Sequence, residues 1–325
     1  MIDEERTLQT SPTEKDVARV LIAADGARVA YRIADIVATA TARAGETAGP
    51  LASKPAARSA VLLLHGLASN LTRWSEFVET TSLTESHCVI RVDLRGHGDS
   101  TTRRPISLEL WCEDLAAILA QEGVARVTLI GHSLGAQVAL HFAALVPAAR
   151  RGIGVRGVAL IDPVFRAALH GRLRWYARAG PVFRAAAMLT RAANSLGLYR
   201  RHLPQLDLRA LDVRARAALA SPQTEAEFVR RYSSTRADLK YVPLAVYLQD
   251  LVEMFRAAPQ FSAITVPVLA LLSTGATFAD DTVMRAALAR FANVRIETIE
   301  CHHWPLTERP AEVRTALERW VAALD

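Results

Sequence analysis

Four continuous apolar runs constrain this chain more than any other feature. They are Ala60-Val61-Leu62-Leu63-Leu64, Val89 to Val92, Val127-Thr128-Leu129-Ile130 and Gly157 to Ile161. A strand with one wet face alternates apolar and polar residues. A run without alternation is buried on both faces, so the sheet it joins must be covered by helices on both sides. The intervening segments supply helices. Ile106 to Ala120 repeats its apolar residues at helical spacing and ends near Gly123, and Ser133 to Leu145 does the same until Pro147. Strands alternating with helices predict a doubly wound, mostly parallel sheet.

The flanks add detail. Residues 1–17 are polar and read as loose. Val17 to Ala24 and Ala27 to Ile33 flank Asp25-Gly26, a hairpin signal. Residues 38–59 are rich in Ala, Gly, Thr and Pro and lack periodicity, which predicts a surface insertion. From Val164 to Gln260 the strand pattern disappears, and the segment is Ala- and Arg-rich and helical in character. Alternation resumes with Val268 to Leu272, a helix over about Thr282 to Phe291, Val294 to Ile299, and a last helix over about Ala311 to Ala323. A helical block therefore interrupts the sheet and leaves from the carboxyl ends of its strands, where open α/β sheets hold their ligands. The expected organisation is a core of residues 1–162 and 263–325 with a helical cap of residues 163–262.

With 325 residues, 51% of them hydrophobic and 22% charged, the chain can bury a large core, and global disorder is excluded. No apolar run reaches the ~18 residues of a membrane span. The start, Met-Ile-Asp-Glu-Glu-Arg, is acidic and is not followed by an apolar core, so the expectation is a cytoplasmic protein without a cleaved secretory signal. Cys88, Cys112 and Cys301 are odd in number and widely spaced, which argues against a disulfide framework or a zinc knuckle; Cys88 and Cys112 read as buried small residues. His302 and His303 are adjacent but lack a spaced ligand set beyond Cys301, and no phosphate-binding loop or G-x-G-x-x-G follows a strand. Neither a metal nor a cofactor is expected.

Charge is unevenly distributed. Between Val164 and Gln260, 15 Arg and one Lys stand against four Asp and three Glu, a net +9 in a chain whose total is +6. Such a segment either attracts an anionic substrate or acidic surface, or is a solvated helical surface whose arginine stems cover apolar area. No recognition motif accompanies the charge, so a nucleic-acid partner is not expected.

Gly131-His132-Ser133-Leu134-Gly135 is a G-x-S-x-G that follows a predicted strand and opens a predicted helix. An immediate strand-to-helix turn puts the serine at its tip in a strained conformation, and flanking glycines let other backbone approach. The hydroxyl then projects outward, at a helix N-terminus that favours developing negative charge. A chance pentapeptide on a Gly-rich turn would lack that strand and helix.

In this setting the chain resembles an α/β-hydrolase fold serine hydrolase with an inserted cap. His65-Gly66, Asp93-Leu94-Arg95-Gly96-His97-Gly98-Asp99-Ser100, Gly131 to Gly135, and His303-Trp304-Pro305 followed by Glu308-Arg309-Pro310 occur in the family's order. They span about residues 17–162 and 263–325 and leave the cap unmatched. The resemblance implies Ser133 as nucleophile and His303 as base, with His302 as its neighbouring rival. The residue before the catalytic histidine is commonly glycine in the family, and here it is His302. The family's acid usually stands three residues beyond a glycine after the strand that follows the cap. That glycine is Gly275, and the third residue on is Phe278. Two carboxylates remain as candidates: Asp162, just before the cap, and Asp280, with Asp281 beside it. Each has a plain structural use, Asp162 in a turn ahead of Pro163 and Asp280 as a helix cap. The oxyanion donors implied are the backbone N–H groups of Leu67 and Leu134. His97 precedes the serine and breaks the family order, so Asp93 to Ser100 reads as a structural loop.

The expected function is cleavage of a carboxylic ester, of moderately apolar character, through an acyl-enzyme. The cap's scattered aromatics, Phe228 among them, either pack on the sheet or line an apolar pocket. A carbon–carbon bond next to a carbonyl, or a lactone, could be cleaved by the same three residues. A non-catalytic ligand receptor is the rival from another class. Oligomeric state is left open, a homodimer included.

Overall fold

In the computed structural model the apolar runs form one eight-stranded sheet. The structure describes residues 16–34, 58–145, 152–218, 228–230, 232, 234–275 and 279–324. The strands are β1 (Val17–Ile22), β2 (Arg28–Ala34), β3 (Arg58–Leu64), β4 (Cys88–Val92), β5 (Val124–His132), β6 (Gly154–Ile161), β7 (Val268–Ser273) and β8 (Val294–Ile299). Their order is β1-β2-β4-β3-β5-β6-β7-β8. β2 is antiparallel to both β1 and β4, and every pair from β4 to β8 is parallel. The longer helices are α1 (Leu108–Gln121), α2 (Leu134–Leu145), α3 (Gly171–Arg178), α4 (Gly180–Ser195), α5 (Leu208–Ala218), α6 (Leu244–Met254), α7 (Asp281–Leu288) and α8 (Pro310–Ala322).

The sheet explains why the runs do not alternate. Ala60, Leu62, Leu64, Leu129 and Leu160 face one core with α1, α2 and α7, where Trp111, Leu115, Phe142 and Leu288 meet them. Val61, Leu63, Ile130, Ala159, Ile161 and Leu269 face a second core with α8, against Trp74, Val313, Leu317 and Trp320. Both faces are dry, and each fully buried aliphatic side chain contributes roughly 1.5–3 kcal/mol. The chain steps outward from β3 to β4 and then returns to β5 on the other side of β3. That reversal opens a crevice at the carboxyl ends of β3 and β5, the place where such sheets hold ligands.

Backbone crowding shapes the same crevice. A Cβ at Gly131 would overlap the carbonyl of Gly135, and a Cβ at Gly135 would overlap the carbonyl of Leu64. The first turn of α2 therefore presses directly on the end of β3. Ser133, between the two glycines, has φ +53°, a left-handed conformation that few L-residues adopt.

The segment between β6 and β7 contributes α3 to α6 and is tied to the sheet layer by buried polar groups. Arg73 Nη1 lies 2.5 Å from Asp212 Oδ1 of α5, and both side chains are buried. Thr307 Oγ1 donates to the same carboxylate at 3.0 Å. His97 Nε2, in the loop after β4, is 3.1 Å from Asp250 Oδ2 of α6, with neither side chain exposed at all. Burial pulls His97 down, but the Asp250 carboxylate opposite outweighs it, so the imidazole is held above its usual value. Asn70 Nδ2 donates to the Leu206 carbonyl at 2.6 Å. Asp93 Oδ1 and Oδ2 accept the Leu71 and Asp99 N–H groups at 2.7 and 2.9 Å. Ser100 Oγ accepts the Ala30 N–H at 2.7 Å. Asp93 to Ser100 is thus the knot that joins β2, β4 and α6, in line with its reading as structure.

Two boundaries differ from the sequence reading. Of the N-terminus expected to be loose, residues 1–15 lie outside the described residues, and Asp16 is buried, with Arg91 on β4 and Arg32 on β2 both donating to it. Of the insertion expected over 38–59, residues 38–57 lie outside the described residues, and Arg58 and Ser59 already belong to β3. All three cysteines are buried and free. Burial pushes the Cys88 thiol up to about 11 and the Cys112 thiol up to about 12, so neither is a ready nucleophile.

Two stability measurements test this architecture. Asp212→Leu strands the buried Arg73 guanidinium and should cost about 3–5 kcal/mol in denaturant titration, whereas the double variant Arg73→Met/Asp212→Leu should recover most of it. Gly135→Ala should cost about 3 kcal/mol or more, because its methyl meets backbone that cannot yield. A fully stable Gly135→Ala protein would refute the close approach of α2 to β3.

Candidate active site

Ser133 and Asp162 stand at equivalent places on neighbouring strands. Each is the first residue past the parallel ladder and still donates its N–H across the sheet: Ser133 to the Ile161 carbonyl and Asp162 to the Leu271 carbonyl, both at 2.9 Å. Each then turns left-handed, with φ +53° and +44°. Such strain costs of order 1–3 kcal/mol and persists only where surrounding contacts over-determine it. Here the cross-strand bonds before it and, for Ser133, the crowded glycines supply those contacts.

His303 follows β8 and reaches both residues. Its Nε2 lies 3.2 Å from Ser133 Oγ, and its Nδ1 lies 3.4 Å from Asp162 Oδ2. Asp162 is also held by Ser273 at the end of β7, which donates its N–H to Oδ1 at 2.7 Å and its hydroxyl to Oδ2, the oxygen that faces His303, at 2.5 Å. Burial works to raise the Asp162 carboxyl, but His303 and then Ser273 outweigh it, so the group is held below its usual range. It stays ionised at neutral pH. An ionised carboxylate aimed at Nδ1 favours the tautomer that leaves Nε2 free to accept a proton from Ser133.

The other candidates fall elsewhere. Asp280 is exposed and caps α7, its Oδ1 accepting the Val283 N–H at 3.0 Å. Of the two carboxylates left open by the sequence, the structure brings Asp162 to His303 and Asp280 to a helix end. Phe278 lies outside the described residues. His302 turns to Glu308, whose Oε2 takes its backbone N–H at 3.1 Å and faces its Nδ1 at 3.0 Å. His97 is enclosed against Asp250, as described above.

His65-Gly66-Leu67 runs beside the serine. A Cβ on Gly66 would sit 3.4 Å from Ser133 Cβ, so the backbone entering Leu67 lies against the hydroxyl-bearing carbon. The turn is held by His65, whose Nε2 accepts the Leu94 N–H at 3.1 Å, leaving the proton on Nδ1 for the Gly66 carbonyl at 2.8 Å. Burial holds this imidazole well below its usual value, hence neutral. Ala68, next along, is left-handed at φ +50°. Leu134 opens α2, where the first N–H groups of a helix lack intrahelical partners.

Two functional positions carried no signal in the sequence. Ser273 is an ordinary residue at a strand end until its two hydrogen bonds to Asp162 are seen. His132 is the variable position of the pentapeptide, yet its Nε2–H donates to the His303 carbonyl at 3.0 Å. Burial, with His303 adding to it, pushes His132 down to about 3, so it is a neutral donor at any working pH. Trp304, 6.0 Å from the His303 ring, forms an aromatic cluster with Phe228 and Tyr232 at ring-centroid separations of 5.4 Å.

Comparison with known proteins matches the fold. The model of the alpha/beta hydrolase family aligns with residues 61–316. An uncharacterized protein of Mycobacterium tuberculosis is 37% identical over 89 residues, 27% of this chain and 26% of its own length. The first curated relatives are thus matched over only between a quarter and a third of their length. Among solved structures, a thermophilic esterase from Thermogutta terrifontis superimposes with a TM-score of 0.61 at 20% identity, over 95% of this chain and 99% of that one. The enol-lactonase from Burkholderia xenovorans superimposes with a TM-score of 0.59 at 19% identity, over 94% and 99%. At such identities the likeness is one of fold, while the family model covers most of the chain: the protein belongs to the alpha/beta hydrolase family.

Proposed function

We propose that this hydrolase cleaves carboxylic esters with Ser133 as nucleophile, His303 as general base and acid, and Asp162 as the carboxylate that orients His303. The observation that carries the reading is the chain of contacts from Ser133 Oγ to His303 Nε2 at 3.2 Å and from His303 Nδ1 to Asp162 at 3.4 Å. A serine hydroxyl is a poor nucleophile until a base within hydrogen-bond reach takes its proton. His303 accepts that proton as Oγ attacks the carbonyl carbon, and the ionised Asp162 stabilises the imidazolium formed. The carbonyl oxygen gains negative charge in the tetrahedral intermediate. The proposed donors to it are the N–H groups of Leu67 and Leu134, each contributing about 2.7–4 kcal/mol to the transition state. His303 then protonates the leaving alcohol. His303 then deprotonates a water, which attacks the same carbon; the acyl–Oγ bond breaks as His303 returns the proton to Ser133, and the carboxylic acid leaves.

His132 adds a positioning role. Its Nε2–H fixes the His303 backbone without competing for the proton that the imidazole carries. The Phe228, Tyr232 and Trp304 rings beside His303 support a substrate with an apolar acyl or alcohol group. In this reading the helical segment between β6 and β7 is the cap over the crevice.

Fluorophosphonate labelling and a p-nitrophenyl ester panel test the reaction class. Ser133→Ala should lose about 10⁶-fold in kcat with an unchanged melting temperature. Labelling at Ser133 without ester turnover would point instead to a lactone or carbon–carbon bond, and no labelling would defeat the nucleophile assignment. The acid is tested separately: Asp162→Asn should cost roughly 10⁴-fold in kcat, while Asp280→Asn should leave kcat near wild type and stability nearly unchanged, because Asn caps a helix about as well as Asp. The reverse ranking would transfer the acid role to Asp280.

A further inference from the structure

From Val164 to Leu206 the chain carries eight arginines and no aspartate or glutamate. Two helices in this stretch, α3 and α4, turn their apolar residues both ways. Inward, Leu173, Tyr176, Ala177 and Phe183 pack on the core that faces α1 and α2, and Ala187 is buried. Tyr176 and Phe183 meet edge to face at 5.9 Å between the two helices. Because both inner faces rest on one core, both outer faces point away from the sheet.

Those outer faces are apolar as well. Trp175 on α3 is 73% exposed, Leu189 on α4 is 72% exposed, and Val182 and Met188 stand out beside it. Leu196 and Leu198, in the turn after α4, continue the surface. Along α4 the exposed positions 181, 182, 184, 185, 188, 189 and 192 hold a single charge, Arg184. One exposed leucine is unremarkable, but a contiguous apolar surface of this kind marks a contact with something else. Arg174 and Arg178 are exposed beside Trp175. Arg103 lies over the Tyr199 ring at 3.9 Å and extends the cationic rim.

We propose that the outer faces of α3 and α4, with the turn to Tyr199, dock on an anionic lipid bilayer. Charge decides between occupants. A second copy would set arginines against arginines, with no carboxylate within Val164 to Leu206 to pair them. An anionic leaflet offers both halves of what the surface lacks: acyl chains for Trp175, Met188 and Leu189, and lipid phosphates for the arginines. An amphipathic pair lying in the membrane plane meets those requirements, and indole rings favour that depth. No helix of the described residues is long and apolar enough to cross a membrane, so the mode is attachment from one side.

Vesicle flotation of the full chain tests this without using activity, so its outcome is separate from that of the ester reading. The protein should float with vesicles of equal phosphatidylcholine and phosphatidylglycerol, not with phosphatidylcholine alone, and added salt should weaken the binding. Arg178→Gln/Arg184→Gln should weaken it about 30-fold, from ~1 kcal/mol per cation near an anionic leaflet. Met188→Ser/Leu189→Ser should weaken it about tenfold or more. Both variants alter exposed side chains and should keep the wild-type melting temperature. No flotation with the anionic vesicles, or flotation that neither variant reduces, would overturn the proposal. So would a solution dimer that Leu189→Glu dissociates in a protein that ignores vesicles.

Discussion

The start of α2 lies tightly against the end of β3, and much of the site depends on that approach. Glycine at 131 and 135 removes two Cβ atoms that would otherwise overlap main-chain carbonyls. That contact lets β5 pass into a helix with no intervening loop. Ser133 is then forced left-handed at the bend, and its side chain leaves the sheet instead of joining either core. The same contact brings the His65-Gly66 turn beside Ser133 Cβ. A bulkier hinge would separate the serine from the backbone N–H groups proposed to stabilise the oxyanion. Steric economy at two positions thus precedes any chemistry at a third.

Polar groups buried between the sheet layer and the helical segment do a different job. Arg73 with Asp212 is an ion pair withdrawn from water, and His97 faces Asp250 in an equally dry setting. Desolvation consumes most of what such pairs gain, so their net contribution to stability is small, but removing one partner is expensive. They therefore fix where α5 and α6 sit more than how tightly they are held. Apolar packing alone allows helices to slide; a carboxylate that must meet one guanidinium does not.

The sheet was legible in the sequence because burial on both faces leaves continuous runs, and β3 to β6 are read almost directly from them. Ser133 stood out for a related reason, as a serine between close-packed glycines at a strand-to-helix bend, whereas His303 was picked out by the resemblance to the family's motif order and not by any demand of the local backbone. Asp162 was harder. A carboxylate that ends a strand and one that caps a helix look alike along a chain, and it is the folded sheet, with Asp162 3.4 Å from His303 and bonded to Ser273, that separates it from Asp280. Asp16 was hidden because its partners, Arg32 and Arg91, are 16 and 75 residues away in the chain. His132 gave no sign at all, because its role is a hydrogen bond to a backbone carbonyl 171 residues further on.

The adjacency of His132 and Ser133 has a mechanical consequence. One residue grips the main chain of His303 while the next meets its ring, so the imidazole is clasped at two points by a single bend of β5. If that bend shifts as a body, His303 is carried along with it, and the gap between hydroxyl and ring nitrogen changes less than the surroundings do.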